Sequence, residues 1–119
     1  MHSKQIVHRD LKPANILLSS SEKGVYDVRI ADFGLSHFVE KGKFLHDRCG
    51  TPTYIAPEIL RDIPYSYKAD IFSIGSVMYN IVTRRFLFED PNEAKVLKMN
   101  FECKLYHVSK YVSFLTEEG

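Results

Sequence analysis

The 119-residue sequence predicts an α+β fold that is mainly helical and carries one small β-hairpin. The first observation is the stretch 68–82, where Ile71, Phe72, Ile74, Val77, Met78, Ile81 and Val82 recur nearly all round a helix of period 3.6. Such a helix is expected to be buried on most faces and to form the core. The second is a pair of β-prone runs, Ile16-Leu17-Leu18 and Val28-Arg29-Ile30-Ala31, separated by the turn-rich polar cluster Ser19-Ser20-Ser21-Glu22-Lys23-Gly24. The third is a helix start at Asp90-Pro91-Asn92-Glu93, after which Ala94, Leu97 and Phe101 are spaced for one apolar face.

Between the hairpin and the long helix, residues 34–58 show no strong periodicity, and a loop of that length in a small domain is usually functional or disordered. Glu58-Ile59-Leu60-Arg61 is expected to make one helical turn behind Pro57, a residue tolerated at a helix start. After Asn100 the signals weaken.

Composition narrows the function classes. A hydrophobic fraction of 45% with 13% aromatics is that of a globular domain. Sixteen basic residues against fifteen acidic ones leave a net charge of +1, so no long-range field argues for nucleic acid or an anionic membrane as partner. The most apolar stretch is interrupted by Ser73, Gly75, Ser76 and Asn80, and a bilayer span needs roughly 20 apolar residues. Cys49 and Cys103 have no metal-ligand spacing and fit a reducing compartment, the cytoplasm or the nucleus. His2, His37, His46 and His107 likewise share no ligand spacing.

Three ordered motifs carry the chemistry. His8-Arg9-Asp10-Leu11-Lys12-Pro13-Ala14-Asn15 follows the pattern H-R-D-L-x-x-x-N, Asp32-Phe33-Gly34 comes next, and Ala56-Pro57-Glu58 closes the segment between them. In this order they resemble the protein kinases, and Lys12 with Gly50-Thr51-Pro52-Thr53-Tyr54 resembles the serine/threonine branch. Each motif alone could be ordinary loop polars, since Asp, Asn and Lys are common in turns. Three in sequence weigh against that, because independent matches multiply.

The resemblance implies a protein kinase-like fold of the C-terminal-lobe type, with the hairpin at the nucleotide edge. It implies ATP and Mg²⁺ as cofactors and a protein hydroxyl as acceptor. Asp10 would orient the attacking hydroxyl and accept its proton, and Lys12 would sit against the γ-phosphate. Asn15 and Asp32 would chelate Mg²⁺ as hard oxygen ligands from one end of the hairpin, with Leu17 as the floor under the adenine. Gly34 would allow the sharp turn after the metal aspartate. His8 would pack on Phe33 and anchor the loop, and Asp70 would hold the loop's backbone from the start of the long helix. Thr51 would bridge Asp10 and Lys12, and Tyr54 would shape the peptide pocket. Glu58 would need an arginine from later helices. Arg9, beside the catalytic aspartate, implies a negative charge on the activation segment, and Asp47 stands where a phosphothreonine is common.

The similarity covers roughly residues 1–100 and is nearest to the calcium/calmodulin-dependent group. Ala14 stands where basophilic members carry a glutamate, Phe72 where a tryptophan is usual, and Thr83-Arg84-Arg85-Phe86-Leu87-Phe88 departs from the family's Gly and prolines. No G-x-G-x-x-G occurs, so the chain 1–119 reads as a partial kinase domain in which the N-terminal lobe and the C-terminal helices are absent. That leaves two main readings: part of a working serine/threonine kinase, a truncated gene product included, or a catalytically inactive binding module that could dock on the missing lobe. A small domain with accidental motifs is a distant third.

Overall fold

The computed structural model describes residues 1–20 and 25–108. The centre of the predicted hairpin turn, 21–24, and the stretch after 108 lie outside the described residues. After a 3-10 turn at His2–Lys4 the chain forms β1 (Ile6–Val7), a second 3-10 turn (Pro13–Asn15), β2 (Ile16–Ser20), β3 (Tyr26–Ile30) and β4 (His37–Phe38). Three helices follow, α1 (Pro57–Leu60), α2 (Lys68–Thr83) and α3 (Glu93–Glu102).

β2 and β3 are antiparallel, with Ile16 opposite Ile30 and Ser20 opposite Tyr26. The Ala31 N–H donates to the Asn15 carbonyl at 2.9 Å, which carries the pairing one residue past the strands, to the doorstep of Asp32. β1 pairs antiparallel with β4, Ile6 against Phe38 and Val7 against His37. Leu45 and Tyr65 exchange backbone hydrogen bonds of 2.8 and 3.0 Å. The stretch expected to be structureless is thus pinned by β4, by the bridge at Leu45 and by α1. Two-residue strands carry too little periodicity to register in a sequence.

One core cluster gathers Val7, Leu45, Ile55, Ala56, Ile59, Leu60, Tyr65 and Ala69; a second gathers Tyr79, Leu87, Phe88 and Val96. Phe72 packs against both, so the smaller ring still bridges the two halves. Leu87 and Phe88 are 8% and 2% exposed, so the divergent loop after α2 supplies core residues.

Two expectations about helix faces are corrected. α2 is buried along Ala69, Asp70, Ser73, Ser76, Val77 and Tyr79, whereas Ile71, Met78 and Ile81 are 54%, 60% and 65% exposed. Small polar side chains share the inner face with Val77 and Tyr79 because the neighbouring loop comes close and offers carbonyl groups; Ile71, Met78 and Ile81 are left outside. On α3 the buried residues are Val96 and Asn100, while Ala94 and Phe101 are exposed. Of the spacing Ala94, Leu97 and Phe101 only Leu97 packs against the core, because Val96 and a polar residue, Asn100, occupy the inner positions. Asn92 caps α3 as the start signal implied, its side-chain oxygen accepting from the Ala94 N–H at 2.9 Å.

The exposed stripe of α2, with Leu17, Leu18 and Val28 exposed on the hairpin, is apolar surface of the kind that drives association. The purified chain is expected to self-associate at micromolar concentration. A double change, Met78→Lys with Ile81→Glu, should relieve this in sedimentation velocity while shifting urea stability by less than about 0.5 kcal/mol, as solvent-facing substitutions do. A monomeric wild-type chain with a cooperative transition at high temperature would contradict the expectation.

Candidate active site

Asp70 is wholly buried in the first turn of α2, and a buried carboxylate needs donors to offset its desolvation. Its Oδ2 accepts from the His8 N–H and from His2 Nε2, each at 2.8 Å, and its Oδ1 accepts from the Arg9 N–H at 2.9 Å. These bonds hold Arg9 in left-handed backbone, φ 70°, a conformation that costs a non-glycine residue on the order of 1–3 kcal/mol. His8, also fully buried, donates from Nε2 to the Ala31 carbonyl at 3.0 Å and lies edge-on to the Phe33 ring, centroids 5.1 Å apart. The Asp10 N–H returns to His8 Nδ1 at 3.3 Å, so both ring nitrogens serve the backbone.

With the loop fixed, Asp10, Lys12 and Thr51 close a triangle. Thr51 Oγ1 donates to Asp10 Oδ1 at 2.6 Å, Lys12 Nζ lies 2.8 Å from Asp10 Oδ2, and Lys12 Nζ donates to Thr51 Oγ1 at 2.9 Å. Burial pushes the Asp10 carboxyl up the pH scale, but Lys12 and Thr51 outweigh it and its pKa falls below the ordinary value. Gly50 makes this approach possible: its φ is +119°, and a Cβ there would lie 2.8 Å from the Arg9 carbonyl oxygen.

Asn15 is 6% exposed and spends its amide N–H on the Asp10 carbonyl at 2.8 Å, which leaves its side-chain oxygen as the group for a cation. Asp32 is exposed and follows the other arm of the hairpin, so the two oxygen donors flank the closing pair Ile16–Ile30. This donor set, one amide oxygen and one carboxylate, suits Mg²⁺, which takes few protein ligands and keeps the rest of its shell for phosphate and water. Leu17 is half-exposed on the same hairpin. Gly34 sits in a turn closed by the Ser36 N–H to the Phe33 carbonyl at 3.0 Å, but the left-handed residue is Asp32 itself, φ 59°. What position 34 needs is space, because a Cβ would come within 3.1 Å of an Asp32 carboxylate oxygen.

Arg9 reaches away from Asp10. It donates to the Leu35 carbonyl through Nε and to Asp47 Oδ2 at 3.1 Å through Nη1, and its side chain is 9% exposed against 72% for Asp47. Burial alone would lower the Arg9 pKa; its contacts with Tyr65, Cys49 and Asp47 raise it above the ordinary value. Tyr65 donates to the Asp47 carbonyl at 2.6 Å, and burial pushes its phenol up to about 12 against the pull of Arg9. The sequence reading missed Tyr65. Glu58 has no ion-pair partner among the described residues, and Arg61 turns instead to the carbonyls of Phe101 and Glu102 at 2.8 and 3.3 Å.

Two serines on α2, unassigned from sequence, also serve this region. Ser73 donates to the Tyr54 carbonyl at 2.8 Å, and Ser76 lies 3.5 Å from the Thr53 carbonyl. Their spacing of three residues on an otherwise apolar helix was the available signal. Tyr54 itself is 8% exposed, and burial raises its phenol pKa. Replacing Asp70 by Ala would leave two buried backbone N–H groups unpaired and release Arg9. The expected loss is about 3 kcal/mol in urea unfolding, with most of the mechanism falling on the loop around Arg9; a loss under about 1 kcal/mol would refute this account.

A family model described as the protein kinase domain matches residues 1–118. The chain is similar to a probable serine/threonine-protein kinase of Dictyostelium discoideum, 42% identical over 97 residues that make up 81% of this chain and 11% of that protein. It is similar to a probable myosin light chain kinase of the same organism, 44% identical over 94 residues, 79% of this chain and 30% of that protein. The carbon catabolite-derepressing protein kinase of Saccharomyces cerevisiae is 40% identical over 113 residues, 94% of this chain and 17% of that protein. The chain therefore spans between 11% and 30% of the length of these relatives.

Proposed function

The chain belongs to the protein kinase family of transferases, and on that premise we propose that it is the phosphoryl-transfer half of a serine/threonine kinase, moving the ATP γ-phosphate to a protein hydroxyl. The observation that carries this reading is the triangle of Asp10, Lys12 and Thr51, a carboxylate and an ammonium held within 2.8 Å of each other at a partly open edge. Phosphoryl transfer needs little covalent help; it needs alignment and charge compensation. Asp10 accepts the hydrogen bond of the acceptor hydroxyl and takes its proton as the new P–O bond forms and the bond to ADP breaks. Its lowered pKa makes it a weak base, so its main contribution is orientation. Lys12 sets its charge beside the transferred group, and Thr51 keeps both side chains in register. Asn15 and Asp32 would hold Mg²⁺, which supplies charge neutralisation at the phosphate oxygens.

On this reading the chain forms the C-terminal-lobe side of the nucleotide cleft, Leu17 faces the adenine, and the Gly-rich lid and nucleotide lysine come from elsewhere in a complete domain. The chain by itself then binds ATP weakly and transfers slowly or not at all. In a complete domain, Asp10→Asn should lower kcat by at least about 1,000-fold while leaving ATP affinity within a few-fold, because the aspartate acts on the hydroxyl. Wild-type turnover in that variant would remove Asp10 from the role. Retained catalysis-specific groups at Asp10, Lys12, Asn15 and Asp32 favour this over a binding module, which has no chemical use for all four.

The pairing of Arg9 with Asp47 supports a further part of the reading: activity without phosphorylation of the segment around Asp47. A carboxylate carries one charge where a phosphate carries about −1.5 to −2, so it supplies part of the same ordering. An exposed pair is worth about 0–1 kcal/mol, but here Arg9 is itself held by Leu35 and Tyr65. In a phosphatase-treated complete domain, Asp47→Ala should reduce kcat about three- to tenfold; equal activity would reject the role.

A further inference from the structure

Each of the five successive carbonyl groups of the loop 51–55 has a donor. Thr51 accepts from the Tyr54 and Ile55 N–H groups, both at 2.9 Å; Tyr54 accepts from Ser73 at 2.8 Å, and Thr53 faces Ser76 at 3.5 Å. The remaining two, Pro52 and Ile55, are both served by one side chain: Asn100 Nδ2 on α3, at 3.2 and 2.7 Å. Asn100 is 0% exposed, and its Oδ1 is buried without a partner.

An asparagine inside a helix is a poor helix former, and an orphaned buried oxygen is a standing cost. Core packing alone would be served as well by an apolar side chain of similar volume. What an apolar residue could not do is bind two loop carbonyls from a separate helix. The loop so held begins at Thr51, whose hydroxyl touches both Asp10 and Lys12. Because Thr51 touches Asp10, a polypeptide that brings its hydroxyl to Asp10 passes close to the start of this loop. We infer that Asn100 is a positioning residue for the protein substrate: α3 sets, through the carbonyls of Pro52 and Ile55, the register of the loop against which the substrate chain lies. The inference rests on the kinase reading above.

Asn100→Leu keeps the volume and removes both hydrogen bonds, so the loop is released; the two carbonyls left without a donor cost stability that removal of the orphaned oxygen offsets only in part. In a complete domain the KM for a serine peptide, chosen from a positional library with the wild-type enzyme, should rise about tenfold, the worth of one to two hydrogen bonds. The KM for ATP should stay the same and kcat should change by less than about threefold, since Ser73 still anchors Tyr54. In the 119-residue chain, hydrogen exchange should accelerate in residues 50–58 and not in 68–83. If Asn100→Leu does not fold, Asn100→Ser, which keeps one donor, should show a smaller change in the same direction. An unchanged peptide KM, equal rises in both KM values, or faster exchange throughout α2 would overturn the inference. A wild-type complete domain that transfers no phosphate would overturn the kinase reading instead. The exchange measurement then decides the tether by itself: acceleration confined to 50–58 supports it, and no acceleration there rejects it.

Discussion

The buried carboxylate of Asp70 joins the long helix to the loop that carries Asp10, and the directions of the reactive side chains follow from that joint. By accepting the N–H groups of His8 and Arg9 it fixes two successive peptide planes and stabilises left-handed backbone that Arg9 would otherwise avoid. The reversal at Arg9 sends its guanidinium toward Leu35 and Asp47 and leaves Asp10 to face Lys12 and Thr51. One ion thus separates the Arg9–Asp47 pair from the group of Asp10, Lys12 and Thr51. Its own desolvation is offset by three donors, and losing any of them would leave charge uncompensated.

The parts legible in the sequence were those with either strong periodicity or a chemical motif. The hairpin, α1, α2 and the Asn92 cap of α3 stood at the expected positions, because β-prone runs, Pro57 at a helix start and a capping side chain act locally. The partners of Asp10, Arg9, His8 and Asp70 followed from resemblance, and the geometry brings each pair together. What stayed hidden was tertiary. Nothing in the string marks Asn100 as an inward residue, since its inner position is defined by where loop 51–55 happens to place its carbonyls. Tyr65 was invisible for the same reason: its hydroxyl finds a backbone carbonyl 18 residues away. The faces of α2 were misjudged because apolar content says which side chains prefer burial, while close approach of a backbone selects the small hydroxyls of Ser73 and Ser76.

α2 therefore has an inverted character. Its inner side is lined in part by Asp70, Ser73 and Ser76, each bonded to backbone, and its outer side carries Ile71, Met78 and Ile81. The helix is a rack for backbone groups as well as a source of core side chains, Ala69, Phe72 and Tyr79. Rigidity at the site comes from directional bonds between the helix and two loops, and the apolar contribution comes mainly from the flanking clusters around Ile59 and Phe88.

The span of the Asp70 contacts also fixes when the site can come into being. His8 and Arg9 lie 62 and 61 residues before the carboxylate that holds them, and His2 lies 68 before it. Closing loops of that size costs chain entropy before any reward arrives. During synthesis the loop around Asp10 emerges long before α2 and has no reason to leave ordinary extended backbone. The arrangement of the loop therefore depends on the docking of the first turn of α2, and a nascent chain that stalls before Asp70 holds all of its motif residues without the carboxylate that turns Arg9.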